Sequence, residues 1–235
     1  MLAAIGGIGI VGIIVVVLIV VSQSGGGGST SSSGGGSGGS PSNASDVALV
    51  KKQLAGIQQN GNVLGKPNAP VTVIQYIDLQ CPFCRQFETE AMPTILSNYV
   101  RKGKAKIESR IIAFIGPDSQ TGREAALAAA KQNKLFNFTQ LMYDNQGTEN
   151  TGWLNDHVIE SAAASIPGLD ANRLQSDRGS DSVKSQMHTF DAQAAKAHVN
   201  STPTIYVVHR GGNPQLVTLT APGDPSALEA AINTG

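Results

Sequence analysis

Two cysteines, Cys81 and Cys84, lie in the stretch YIDLQCPFCRQF and are the only two among 235 residues. A C-x-x-C pair serves a metal, a structural crosslink or a reversible dithiol. A tetrahedral zinc site needs four ligands. No second cysteine pair exists, and His157, His188, His198 and His209 are scattered without ligand spacing, so no metal site is expected. A structural disulfide between Cys81 and Cys84 closes a tiny loop, and the chain-entropy gain grows with loop length, so it stabilises little. The dithiol reading rests on position. Cys81 falls where a β-branched run ends and a helical pattern begins, and a helix N-terminus offers unpaired N–H groups and partial positive charge to a thiolate. Pro82 suits the first helical position, which needs no N–H. Cys84 follows about one turn later with its thiol turned inward. A C-x-x-C after a strand and at the mouth of a helix favours redox chemistry.

On that reading Cys81, with an exposed sulfur, is the nucleophile and Cys84 the resolving thiol. A substrate thiolate attacks the Cys81 sulfur of the disulfide and forms a mixed disulfide; the substrate's second cysteine then closes its own bridge and releases the dithiol. Each pKa unit by which Cys81 falls below ambient pH stabilises the reduced form by ~1.4 kcal/mol, or about 30 mV for a two-electron couple. Pro82 and Phe83 bring no side-chain donor, so the backbone and the helix end must supply the shift. Phe83, at the tip, reads as an exposed apolar contact for substrate.

The elements that hold this pair follow from periodicity. APVTVIQYIDLQ is a strand, and CRQFETEAMPTILSNYV is helical through Phe87, Met92, Ile95, Leu96 and Val100. AKIESRIIAFI is a second strand, which completes a β-α-β unit and predicts a parallel pair. From Thr121 the pattern is helical for about 75 residues. TGRE, Thr121 with Glu124, has the form of a capping box opening an Ala-rich helix. LFNFTQLMYDNQ, WLNDHVIESAAASI and SVKSQMHTFDAQAAKAHV continue the helical block, with Phe136, Phe138, Leu141, Met142 and Trp153 as its core. Strands resume at TPTIYVVHR and QLVTLT, and PSALEAAINT is a final helix. The fold class is α/β with an all-helical insertion.

The remainder of the chain bears on location. Lys plus Arg and Asp plus Glu number 17 each, and none precedes Asp46. A balanced domain offers no basic face for a phosphate backbone, so no nucleic-acid partner is expected. Leu2 to Val21 is an unbroken apolar run long enough to span a bilayer. It exceeds a signal-peptide core and lacks an A-x-A-like cleavage site, so residues 1–21 read as an uncleaved transmembrane anchor, a signal-anchor, over a cleaved leader. No Lys or Arg flanks it, and the positive-inside rule is silent. Residues 22–45 form a Gly/Ser linker with a span of roughly 25–30 Å. Residues 46–235 are the folded domain, beginning with a short helix, DVALVKKQLAGI, capped by Ser45 or Asp46.

Together these residues resemble the DsbA-like thioredoxin-fold oxidoreductases, especially the membrane-anchored bacterial, BdbD-like group. The resemblance runs over about residues 57–233, through NVLGKPNAPVTVIQYIDLQCPFCRQF, LMYDNQ and VNSTPTIYV. It implies a thioredoxin-like core with the helical domain inserted after Ile115, about residues 119–199. It implies no cofactor beyond the Cys81–Cys84 disulfide, and exchange with unfolded or reduced exported proteins on the extracytoplasmic side of the cytoplasmic membrane. Reoxidation by an integral-membrane partner of the DsbB-like or VKOR-like type is also implied. It further makes Thr202-Pro203 the cis-proline loop beside the dithiol, where the residues alone allow Pro203 simply to begin an edge strand. One position departs from the family pattern. Where an acidic residue commonly sits beneath the active site, this chain has Gln75, which does not ionise. Proton transfer from Cys84 then falls to water or to Asp78, whose plainer reading is a turn or cap residue. Two other functions stay open at this point: a reductase or isomerase of the same fold, and a peptide-binding chaperone without redox turnover.

Overall fold

The computed structural model describes residues 43–234. The apolar run Leu2–Val21 and nearly all of the expected linker lie outside the described residues, and among those described no helix is long and apolar enough to cross a membrane. α1 (Ala44–Leu54) begins inside the stretch expected to be linker. Asn43, not Ser45 or Asp46, is the cap: its side-chain oxygen accepts the Ser45 N–H at 3.1 Å, and Asp46 falls in the first turn, where its charge suits the helix dipole.

A six-stranded sheet runs in the order β1-β2-β4-β3-β5-β6. β1 (Gln59–Asn60) and β2 (Val63–Leu64) form a hairpin too short to leave a periodic signal in the sequence. β3 (Val71–Ile77) pairs in parallel with β4 (Ala105–Ile111), as the β-α-β pattern predicts, and antiparallel with β5 (Thr204–His209). β6 (Gln215–Val217) is shorter than the apolar run that suggested it. α9 (Ser226–Asn233) packs on β5 and β6. The register sets Gln75 of β3 beside Ser109 of β4.

The crossover between β3 and β4 is one helical stretch with two changes of pitch. α2 (Pro82–Gln86) widens into a π-helical segment (Phe87–Ala91), continues as α3 (Met92–Ile95), and widens again (Leu96–Val100). Pro93 explains the first widening. It has no N–H to donate, and the turn before it relaxes so that the Met92 N–H reaches back to the Phe87 carbonyl. The apolar positions expected from periodicity, Phe87, Met92, Ile95, Leu96 and Val100, are all buried.

Five helices stand between β4 and β5: α4 (Pro117–Ala130), α5 (Leu135–Asp144), α6 (Asp156–Ser165), α7 (Ala171–Arg178) and α8 (Asp181–Lys196). α4 starts four residues before Thr121, so the capping-box reading of TGRE is corrected. Pro117 takes the first helical position with its φ already set, and the chain enters the helix there. Glu124 instead accepts from Gln120 within the helix at 2.8 Å. Gly122 serves close packing: a Cβ there would lie 2.2 Å from Leu154 Cδ2 and 3.1 Å from Leu79 Cδ1. α5 buries Phe136, Phe138, Leu141, Met142 and Tyr143, and packs against α1, α4, α2 and the first π segment. Trp153 is buried too, though in a loop. Each such side chain contributes roughly 1.5–3 kcal/mol by leaving water, so the insertion and the cysteine helix share one core.

Candidate active site

The site is built where β3 gives way to α2. Asp78, the first residue past β3, is fully buried. Its carboxylate accepts the backbone N–H groups of Gln80 at 2.8 Å, Phe114 at 2.6 Å and Ile115 at 2.9 Å. Its carbonyl accepts the Cys81 N–H and the Tyr143 hydroxyl, both at 3.1 Å. Asp78 therefore fastens the cysteine loop to the loop after β4. These bonds enlarge the turn-residue reading and leave a proton-acceptor reading without support from its partners.

The insertion grips the same loop from the other side. The Gln80 amide donates to Ser119 Oγ at 2.9 Å and its oxygen accepts the Asn150 N–H at 2.7 Å. Gln146 Nε2 donates to the carbonyls of Leu79 at 2.7 Å and Cys81 at 3.2 Å. Gln146 closes the LMYDNQ motif, yet its partners are backbone oxygens some 65 residues away, which no local pattern announces.

Cys81 is itself the N-cap of α2, with extended backbone (φ −71, ψ 118), and Pro82 follows at the head of the helix. Its sulfur accepts the Cys84 N–H at 3.4 Å and lies 3.3 Å from the Thr202 carbonyl. The Thr202-Pro203 peptide bond is cis, and the loop expected beside the dithiol is there. That loop also corrects an expectation: Cys81 is only 4% exposed, because Thr202 lies against its sulfur. Both cysteines are free thiols.

Their environments drive the two sulfurs apart. A hydrogen bond from the Cys84 thiol is the largest influence on Cys81. Burial opposes it, and the Thr202 side chain and the backbone N–H groups of Cys84 and Phe83 add to it; the net effect lowers the thiol to about 6. Cys84 is wholly buried, and desolvation first, then its hydrogen bond to Cys81 and the Cys81 charge, hold it well above the ordinary range. At neutral pH the pair is one thiolate and one thiol. The donors missing from the Pro-Phe dipeptide come from the helix backbone, as expected, and also from Cys84 and Thr202.

Phe83 is 59% exposed, as its tip position predicts. Phe114 is 50% exposed on the loop that Asp78 holds to the cysteine loop; it reads in sequence as the end of a strand, which hid it. Gln75 is buried, and its hydrogen bonds run to Glu88 and Ser109. Glu88 is a second residue that sequence reading missed. Its place in the helix after the cysteines resembles any surface carboxylate, and tertiary packing buries it, with α5 against that segment and Gln75 of β3 on its carboxylate.

Residues 58–232 match the thioredoxin family model. This chain belongs to the thioredoxin family. It is 30% identical over 154 residues to the Bacillus cereus protein named probable disulfide bond formation protein D, covering 64% of this chain and 71% of that one. The fold superposes on oxidised BdbD of Bacillus subtilis with a TM-score of 0.65, at 24% identity, covering 75% of this chain and 95% of that chain. A thioredoxin-like oxidoreductase of Silicibacter pomeroyi matches with a TM-score of 0.58 at 28% identity, over 73% of this chain and 89% of that chain. Within the thioredoxin family, this protein is a DsbA-like thiol:disulfide oxidoreductase, a type that uses its own cysteine disulfide without an external cofactor.

Proposed function

We propose that this oxidoreductase runs as an oxidase, with Cys81 as nucleophile and Cys84 as resolving thiol, and introduces disulfides into exported proteins. The observation that carries the reading is the split between a Cys81 thiol lowered to about 6 and a Cys84 thiol raised by burial. At pH 7 a thiol one unit below ambient stabilises the reduced form by about 1.4 kcal/mol, equivalent to about 30 mV toward oxidising power. Thr202 and Pro203, against the nucleophilic sulfur, present backbone to the client chain, and Phe83 gives it an apolar contact. Asp78 and Pro82 hold and open the helix, and Gln75 supports the buried side of the site.

Exported clients suit the chemistry, since disulfides persist in oxidising compartments, and the Bacillus cereus relative is named for disulfide bond formation. The apolar run Leu2–Val21 anchors the domain in the cytoplasmic membrane, with the catalytic domain on the extracytoplasmic side. Confinement on a Gly/Ser leash raises the effective concentration of an integral-membrane DsbB-like or VKOR-like recycling partner. Oxidised full-length protein mixed with reduced, unfolded ribonuclease is expected to restore ribonuclease activity, and its dithiol to equilibrate with glutathione as an oxidising couple. A couple more reducing than the glutathione pool would assign the protein to reduction or isomerisation. Membrane fractions should hold the full chain, and deletion of residues 2–21 should release it.

A further inference from the structure

Charge is balanced over the whole chain but not over its surface. The register sets Val71 of β3 beside Ala105 of β4 and His209 of β5. The loop before β3, the turn before β4 and the turn after β5 therefore share one end of the sheet. Cys81 follows the opposite end of β3, and a seven-residue strand separates the two ends by roughly 20 Å. The far end carries Lys66, Arg101, Lys102, Lys104, Lys106 and Arg210, all exposed except the half-buried Lys106. The stretches that build it hold no acidic residue: none occurs in 47–77, 91–107 or 192–223. Equal totals of the two signs conceal this in the sequence, because the three stretches lie far apart along the chain.

These cations are held in place without being neutralised. Lys106 Nζ donates to the Pro67 carbonyl at 2.8 Å and Arg210 Nη2 to the Asn68 carbonyl at 2.6 Å. Arg101 donates to the carbonyls of Ala55 and Gln53 at the end of α1. Lys104 Nζ lies 6.0 Å from the centre of the Tyr99 ring, and the Lys66 stem runs along Gly103, where an added Cβ would lie 2.8 Å from Lys66 Cδ. Carbonyl and ring partners fix direction and leave the charge. Elsewhere the pattern reverses. Arg110, Arg123, Lys131, Arg173 and Arg178 each meet a carboxylate, and among the described residues no ion pair includes any of the six. Glu229 of α9, which approaches this end, is bonded to the Asn98 amide at 3.3 Å.

We propose that this end of the sheet docks on the anionic phospholipid headgroups of the membrane that holds the chain. The inference rests on the reading of Leu2–Val21 as an anchor and adds how the folded domain stands on the bilayer. Lipid is the occupant because a tether with a span of roughly 25–30 Å keeps the headgroups at high effective concentration, which no free polyanion shares. Each basic residue brought close to an anionic surface strengthens the contact about fivefold. The attraction acts within the Debye length, which shrinks from about 10 Å at 0.1 M salt to about 3 Å at 1 M. Docked in this way, the domain carries Cys81 on the side away from the bilayer, where exported chains pass.

The test uses full-length protein in vesicles of phosphatidylcholine, alone or mixed with phosphatidylglycerol. Single lysines are acetylated with a membrane-impermeant reagent and read by mass spectrometry, with Lys184, exposed on α8, as internal reference. At about 0.1 M salt Lys66, Lys102 and Lys104 are expected to react about 10-fold more slowly on the anionic vesicles than on the neutral ones, and about 1 M salt should erase the difference. Lys102→Gln/Lys104→Gln should weaken docking about 30-fold and free Lys66 to react as it does on neutral vesicles. The exchange activity should be unchanged, since the cysteines lie at the other end of β3. Equal labelling on the two vesicles, or protection that survives high salt, overturns the inference while the anchoring reading stands. Equal protection on neutral vesicles by soluble polyphosphate would give this surface to a free polyanion and overturn the lipid assignment. Protein that does not float with neutral vesicles overturns the anchoring reading itself.

Discussion

Cys81→Ser is expected to lose thiol–disulfide exchange down to the uncatalysed background, while Cys84→Ser stalls with a client bound covalently. The two losses differ because the two sulfurs differ. Cys81 carries the thiolate, capped by the N–H of Cys84 at 3.4 Å and set against Thr202, so removing it removes the only atom that forms the mixed disulfide. Cys84 is buried and held as a thiol, and its task is to displace what Cys81 has captured. Scrambled, disulfide-bonded ribonuclease as client, whose disulfide the Cys81 thiolate attacks with release of a client thiolate, reads both results after quenching by acid and separation without reductant: no adduct for the first variant, an accumulating one for the second. A Cys81→Ser protein that still restores ribonuclease activity would remove the basis of the proposed function.

Asp78→Ala should cost several kcal/mol of stability. Three backbone N–H groups, one buried and two partly buried, converge on one carboxylate, from the cysteine loop and from the loop after β4. Each donor left unpaired in the interior costs about 1–3 kcal/mol, and water entering the vacated space recovers part of that sum. Asp78→Asn keeps one acceptor oxygen and should lose less. Urea unfolding of the reduced proteins gives the comparison. Equal midpoints for Asp78→Ala and wild type would show that the two loops hold together without this residue.

Cys81 was legible because its evidence is local: a β-branched run, a proline suited to the head of a helix, and a second cysteine one turn on. The parallel β3–β4 pair was legible for the same reason, since alternation and helical period follow one another along the chain. Thr202 was not readable from its own neighbours. Its contact with Cys81 spans 121 residues, and only the family pattern placed it. Gln146 escaped because it recognises backbone carbonyls, which every residue has. Glu88 escaped because burial by α5 is a tertiary event, and a carboxylate in a helix otherwise reads as solvated. The TGRE reading failed where two starting signals competed, with Pro117 acting a turn earlier than Thr121. The short β1–β2 hairpin, two residues a strand, has no period to detect.

The split between the two sulfurs has a pH dependence whose sign is fixed. A thiol lowered in the folded protein stabilises the reduced fold fully above the unfolded thiol's pKa, and that contribution is lost as pH falls through about 6. Thiolate absorbance of the fully reduced protein, followed across pH, measures this directly. One sulfur ionising with a midpoint near 6 while its partner stays protonated well beyond the ordinary thiol range is the result predicted; both sulfurs titrating together near the usual value of about 8.5 would contradict it.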